Sequence, residues 1–204
     1  DSVGSYGYPV LDIIIPVFAL LFSINFAMYF LLLCRRFREV LQSDELRFFL
    51  VVVGLSTAVI AFNIRHLYQG PLQCLRYAFF QVSSIISTTG FATADFCLWP
   101  QFSQIIFILL MLCGACAGST GGGIKVARLV ILVRSSVGEM RRMLHPNAVS
   151  TTRFEGKVLP ERNIRGVQMF LTMYLLVFTV SCLLLSMEHF DLITTFTAVA
   201  SCLN

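Results

Sequence analysis

The sequence predicts an all-α polytopic membrane protein: repeated units of span, re-entrant pore helix and span, with one span broken by a glycine-rich stretch inside the membrane. Three observations predict it. They are a surplus of apolar residues, the placement of Lys and Arg between apolar runs, and an internal likeness at an offset of 117 residues. Of 204 residues, 57% are hydrophobic, 19 are Phe and only 13% are charged. A soluble domain carries ~45–50% apolar and ~25% charged residues, so lipid is the expected solvent.

The chain starts at Asp1 with neither a basic n-region nor a small-residue cleavage site, which predicts no signal peptide. With an apolar run also reaching Asn204, the sequence reads as a piece of a longer protein. Four runs are long enough to cross a bilayer, which takes ~20 apolar residues. They are Pro9–Cys34, Leu46–Ile64, Leu98–Arg134 and Val167–Met187, the third interrupted by Gly118-Ser-Thr-Gly-Gly-Gly123. Tyr77–Phe91 and Leu192–Asn204 are too short to span and rich in Ser and Thr.

Charge placement decides how the short runs lie. Arg35, Arg36, Arg38 and Arg47 follow the first span, and Arg65 and Arg76 follow the second. Lys125, Arg128, Arg134, Arg141, Arg142, Arg153, Lys157, Arg162 and Arg165 follow the glycine break, and none follows Met187. If Tyr77–Phe91 spanned, the two basic loops would lie on opposite sides, against the positive-inside tendency. If it enters and turns back, both are cytoplasmic. A re-entrant segment has non-helical backbone at membrane depth, which persists only where it is buried in protein or lines a water-filled cavity. The topology therefore predicts a pore or a binding cavity.

The two short runs also resemble each other. At the 117-residue offset Leu75 matches Leu192, Phe79 matches Phe196, Val82 matches Val199 and Ser84 matches Ser201. Each follows a span and a short outer loop, the signature of a repeated unit around a central site. The boundaries expected are 1–45 (last span of a preceding unit and a linker), 46–143 (a complete unit) and 144–204 (a linker, then the first span and pore helix of the next).

The first re-entrant run ends in Ser87-Thr88-Thr89-Gly90-Phe91. A half-helix followed by an extended Gly-containing strand can point carbonyls at a common axis and replace an ion's hydration shell. Thr hydroxyls add oxygen donors. Oxygen ligands without a His cluster or a carboxylate at the tip favour a weakly held monovalent cation over zinc or calcium. Asp95 lies just past the tip, with Asp12, Glu188 and Asp191 on the same side, where acids raise local cation concentration. Other chemistries fit poorly. Cys113-Gly-Ala-Cys116 ends a long apolar run rather than sitting in a βαβ context, so packing is the expected role. Gly118-x-x-x-x-Gly123-Ile-Lys125 misses the phosphate-loop pattern, because Ile124 intervenes and Val126 replaces the hydroxyl residue. There is no His-Glu zinc pattern, no Gly-x-Ser-x-Gly and no paired intramembrane carboxylates, so no enzyme is expected.

The motifs Ser87-Thr-Thr-Gly-Phe-Ala-Thr-Ala-Asp95, Trp99-Pro100, Gly114-Ala-Cys-Ala-Gly-Ser-Thr-Gly-Gly-Gly-Ile-Lys125, His145-Pro-Asn-Ala-Val149 and Ala200-Ser-Cys-Leu-Asn204 resemble the TrkH-type membrane subunits of the bacterial Trk/Ktr potassium-uptake family. The resemblance covers the whole chain. It implies a potassium-channel-like arrangement of four units around one pore, in a multi-pass protein of the bacterial inner membrane. Thr88, Thr89 and Gly90 would be the third filter strand, binding transported potassium, with Thr88 and Thr89 as metal ligands. Gly118, Gly121, Gly122, Gly123 and Lys125 would form a gate below it, Lys125 opposing cation passage when closed. It further implies no cofactor beyond the transported ion, a cytosolic nucleotide-binding regulatory subunit docking on the basic loop Arg134–Arg165, contact with the lipid bilayer, a homodimer, and no nucleic acid. A sodium-coupled or sodium-conducting member of the same superfamily stays open here, as does channel-like flow against symport.

Overall fold

A computed structural model describes residues 3–6, 8–68, 70–145 and 152–204. The first apolar run forms α1 (Leu11–Ser23) and α2 (Phe26–Leu33), bent by 91° at the break between them. One span was expected over Pro9–Cys34; the structure splits it. The cause is local: Ile24 is extended, and the Asn25 side chain accepts the Ala27 N–H to cap α2. A polar residue on either side of Ile24 gives the chain an alternative to the helical ladder.

A short helix, α3 (Phe37–Gln42), leads into α4 (Asp44–Asn63), whose N-terminus is capped by Ser43. At 20 residues α4 is ~30 Å long, the thickness of the hydrocarbon core. α5 (Pro71–Ile86) opens with Pro at its first turn after Gly70, the position where a missing N–H costs nothing. It is wholly buried from Phe80 to its end at Ile86, and the segment at residues 87–91 that follows is irregular, with Thr88 and Gly90 left-handed where an extended strand was expected. α6 (Gln101–Cys113) and α7 (Val126–Leu144) flank the glycine-rich loop. That loop runs over residues 114–125, longer at both ends than the expected break at 118–123. Strands β1 (Arg153–Phe154) and β2 (Lys157–Val158) form an antiparallel hairpin, then α8 (Glu161–Leu185) and α9 (Leu192–Leu203) complete the described residues. His145 caps α7, while the rest of the 145–149 motif lies outside the described residues.

Two groups of contacts fix the topology. On one side Arg134 pairs with Asp44 at 2.7 Å and donates to the Arg153 carbonyl at 2.8 Å. The loop before α4 and the loop after α7 therefore lie on one face, as the charge count required. On the opposite side Trp99 Nε1 donates to the Tyr68 hydroxyl at 3.1 Å, and Arg76 pairs with Asp12 at 3.3 Å. The start of α5 and the start of α6 thus share that face, and α5 is re-entrant. The core between them is built from Phe49, Val53 and Ile60 of α4, Ala78, Val82 and Ile86 of α5, Phe107 and Leu110 of α6, and Val126 and Val130 of α7.

The internal likeness has a geometric counterpart. The first residues of α4 and α8, Asp44 and Glu161, stand 117 apart, as do the last residues of α5 and α9, Ile86 and Leu203. Val82 and its counterpart Val199 are both buried. α9 packs on α8 through Phe196 and Phe178, ring centroids 4.8 Å apart, as α5 packs on α4.

Candidate functional site

Beyond Ile86 the chain stops being helical and is held by its own side chains. The Ser84 carbonyl accepts the Thr89 N–H at 3.1 Å and the hydroxyls of Ser87 and Thr89 at 3.1 and 3.2 Å. The Ser84 hydroxyl donates to the Phe91 carbonyl at 2.6 Å. Gln81 Nε2 donates to the Ala94 carbonyl at 2.9 Å, tying the returning strand to the pore helix. Thr88 and Gly90 are left-handed, at φ 59° and 75°. For Gly90 this is cheap; for the β-branched Thr88 it is strained, and such strain collects where geometry serves function.

These bonds turn the side chains inward. The Thr89 hydroxyl pairs with Ser87 at 2.7 Å, and the Thr88 hydroxyl accepts the Gly122 N–H at 3.1 Å. Among the described residues, the carbonyls of Thr88, Thr89 and Gly90 accept no hydrogen bond, and Thr89 and Gly90 are exposed. The threonine hydroxyls, expected as further oxygen ligands, each make a hydrogen bond within the protein.

The glycine loop is secured from several directions by residues far away in sequence. Cys116 N–H donates to Ser23 O at 3.0 Å, Thr120 N–H to Phe22 O at 3.4 Å, and Phe26 N–H to Gly118 O at 3.1 Å. The two broken spans thus satisfy each other's freed backbone groups, which lipid could not. Ala117 N–H donates to Glu45 Oε1 at 2.5 Å. Lys125 Nζ donates to the Gly121 carbonyl, folding its charge back onto the loop. On the far side Asn204 Nδ2 donates to the Met111 carbonyl, and its backbone lies against Gly122. A Cβ on Gly122 would fall 1.6 Å from the Asn204 oxygen, so only glycine fits there.

Of the residues singled out for the site, Thr88 and Gly122 are joined by a hydrogen bond and Gly121 lies beside Ser87, while Gly118 lies against Asn25. The outer acids are given local tasks: Asp12 pairs with Arg76, Asp95 accepts the Cys97 N–H, and Asp191 caps α9. Cys113 and Cys116 are buried and free, as packing residues. Sequence reasoning missed Ser84, Glu45 and the Ser23/Asn25 pair. Only the last left a signal, as two polar residues inside an apolar run.

A family model described as TrkH, cation transport protein, matches residues 1–204. The chain belongs to the TrkH family of cation transport proteins. The Trk system potassium uptake protein TrkH of Salmonella typhimurium is 37% identical over 208 residues, covering 100% of this chain and 43% of that protein. The Trk system potassium uptake protein TrkG of Escherichia coli is 31% identical over 206 residues, covering 100% of this chain and 42% of that one. The crystal structure of the potassium transporter TrkH from Vibrio parahaemolyticus matches with a TM-score of 0.90 at 33% identity, over 98% of this chain and 44% of that chain. The chain spans less than half the length of these relatives. These relatives are named as potassium uptake proteins and a potassium transporter.

Proposed function

We propose that the full-length protein takes up potassium across the bacterial inner membrane, as a multi-pass protein whose pore is lined by re-entrant strands. Residues 88–90 supply one of four filter strands. The observation that carries this reading is the set of carbonyls at Thr88, Thr89 and Gly90 that accept no hydrogen bond among the described residues, on a segment whose Ser87, Thr88 and Thr89 hydroxyls bond within the protein. A partly dehydrated alkali cation is the ligand such oxygens fit. The names of the relatives, Trk system potassium uptake proteins, supply the ion.

The glycine loop, with Gly118, Gly121, Gly122, Gly123 and Lys125, is the gate in this reading. It sits against the first filter residue through Gly122 and carries a cation at its base. The whole protein pairs as a homodimer and is controlled by a cytosolic nucleotide-binding subunit that docks on the basic face. Arg141 and Arg142, exposed in the last turn of α7, are the side chains placed for it.

The test is ion flux through the full-length protein in liposomes, comparing potassium, rubidium and sodium. Potassium and rubidium are expected to pass and sodium to be excluded. Equal permeation of all three, or none, would sink the uptake reading. Deletion of residues 118–123 is expected to raise basal flux, and a silent deletion rejects the gate.

A further inference from the structure

A carboxylate buried inside the protein is costly unless it is hydrogen-bonded, and Glu45 is only 4% exposed. It occupies the first turn of α4, yet its side chain points away from the basic face and into the protein. There it accepts the Ala117 N–H of the glycine loop at 2.5 Å, with the Asn25 side chain and the Ala127 N–H beside it. One residue thus touches the loop, the break between α1 and α2, and the first turn of α7.

The backbone of the same residue is held from the opposite direction. Glu155, at the tip of the β1–β2 hairpin, accepts the Ser43 hydroxyl at 2.8 Å and the Glu45 N–H at 3.1 Å through one carboxylate oxygen. Its own N–H donates to Asp44 at 3.3 Å. Glu155 and Gly156 both have positive φ, at 51° and 71°, as a two-residue hairpin turn of the primed type demands. Glutamate is a poor choice for that conformation, where Asn or Gly is usual. The strain is sustained by the three bonds to the N-terminus of α4, and the carboxylate also complements the positive end of that helix.

We propose that Glu45 is a positioning residue of the glycine loop, and that the β1–β2 hairpin, through Glu155, sets where Glu45 stands. This rests on the reading of that loop as the gate. The hairpin belongs to the segment joining α7 to α8 on the basic face, and Arg134 ties it to α7 as well. Displacing the hairpin frees the N-terminus of α4, lets Glu45 withdraw, and leaves the Ala117 N–H without its acceptor. The loop then loses its anchor on that side. A partner that pulls on the basic face would open the gate by this route.

The experiment is rubidium uptake by liposomes holding the full-length protein without any regulatory subunit. Glu45→Met has nearly the same shape but no acceptor, and is expected to raise basal uptake about tenfold, equivalent to ~1.4 kcal/mol. Glu45→Gln keeps one acceptor oxygen for Ala117 and is expected to stay near wild type. Met leaving both uptake and the loop label described below as in wild type, or Gln behaving like Met in both, overturns the positioning role. Glu155→Ala is expected to raise uptake, and the double variant with Glu45→Met to leak no more than Glu45→Met alone. Effects that multiply would show two independent sites and overturn the coupling.

A nitroxide at Ser119 reads the loop without reference to flux. Its mobility is expected to rise in Glu45→Met and in Glu155→Ala but not in Glu45→Gln. An unchanged spectrum overturns the inference even where flux changes. A mobile label with unchanged flux, together with a silent deletion of residues 118–123, would uphold the positioning and reject the gate.

Discussion

The segment at residues 87–91, proposed above as a filter strand, and the glycine loop at 114–125 are both non-helical, and they are held in opposite ways. The strand is tied by its own neighbourhood: Ser84, Ser87 and Thr89 bond one another within a few residues. The loop has few side chains to use and is fastened by Phe22, Ser23, Phe26, Glu45, Thr88 and Asn204. Local bonds make a strand that holds its shape whatever its surroundings do. Distant ones make a loop whose position reports on several elements at once. The first suits a fixed array of carbonyls, and the second suits a segment that has to move.

The sharpest way to break this comparison is to add one methyl group to each region. Gly122→Ala would place a Cβ 1.6 Å from the backbone oxygen of Asn204, and main chain cannot step aside as a flexible side chain can. It is expected to destabilise the full-length protein by about 1–3 kcal/mol, the usual range for overpacking. Gly90→Ala meets nothing within 4 Å and carries only the strain of φ 75°, about 1 kcal/mol. Thermal unfolding in detergent should rank Gly122→Ala clearly below Gly90→Ala. Equal midpoints would mean that the loop has room to spare and is not packed as described.

A smaller effect is expected at the hydrogen bond between the two regions, from Gly122 N–H to the Thr88 hydroxyl at 3.1 Å. Thr88→Val keeps the shape and removes the acceptor. It is expected to raise basal rubidium flux about fivefold, the equivalent of one lost hydrogen bond of ~1 kcal/mol. Thr88→Ser keeps the hydroxyl and relieves the β-branched strain at φ 59°, so its flux should stay near wild type. If Val and Ser behave alike, the loop does not rest on the filter through this bond.

The same contrast explains what was legible in the sequence. The strand is local, so Ser87 to Phe91 carried its own signal, and the arginine count placed α5 as a re-entrant helix before any contact was known. The glycines marked where α6 and α7 part. What secures the loop was not legible, because it depends on pairs far apart in the chain. Glu45 falls at the end of the 1–45 linker, just before the span expected at Leu46, and nothing at Glu45 or Ala117 marks the other as its partner. The break at Ser23 to Asn25 was hidden by length: the apolar run Pro9–Cys34 reads as a span, and one capping Asn is a faint mark against it. The hairpin turn Glu155-Gly156 is a weak signal for the same reason, since its strain is sustained by the distant residues Ser43 to Glu45.

The smallest expected effect lies at the outer mouth, beyond the filter strand. Asp95 accepts the Cys97 N–H at 3.0 Å, a task its amide counterpart performs equally well, so Asp95→Asn removes charge and keeps the fold. Any change in potassium flux then measures attraction alone: a reduction of less than about twofold, largest at low ionic strength and lost as salt screens the charge. The neighbouring thiol supplies an internal check. Cys97 is held above the ordinary thiol range by desolvation first and by the Asp95 carboxylate second. Taking the carboxylate away lowers the thiol pKa part of the way back, which raises the thiolate fraction at a fixed pH. Because the thiolate is the reacting form, an impermeant maleimide added from outside should label Cys97 faster in Asp95→Asn than in the parent. Faster labelling with unchanged flux would leave Asp95 a turn residue whose charge the ion does not feel. Unchanged labelling would mean that the carboxylate lies farther from Cys97 than the 3.0 Å turn allows.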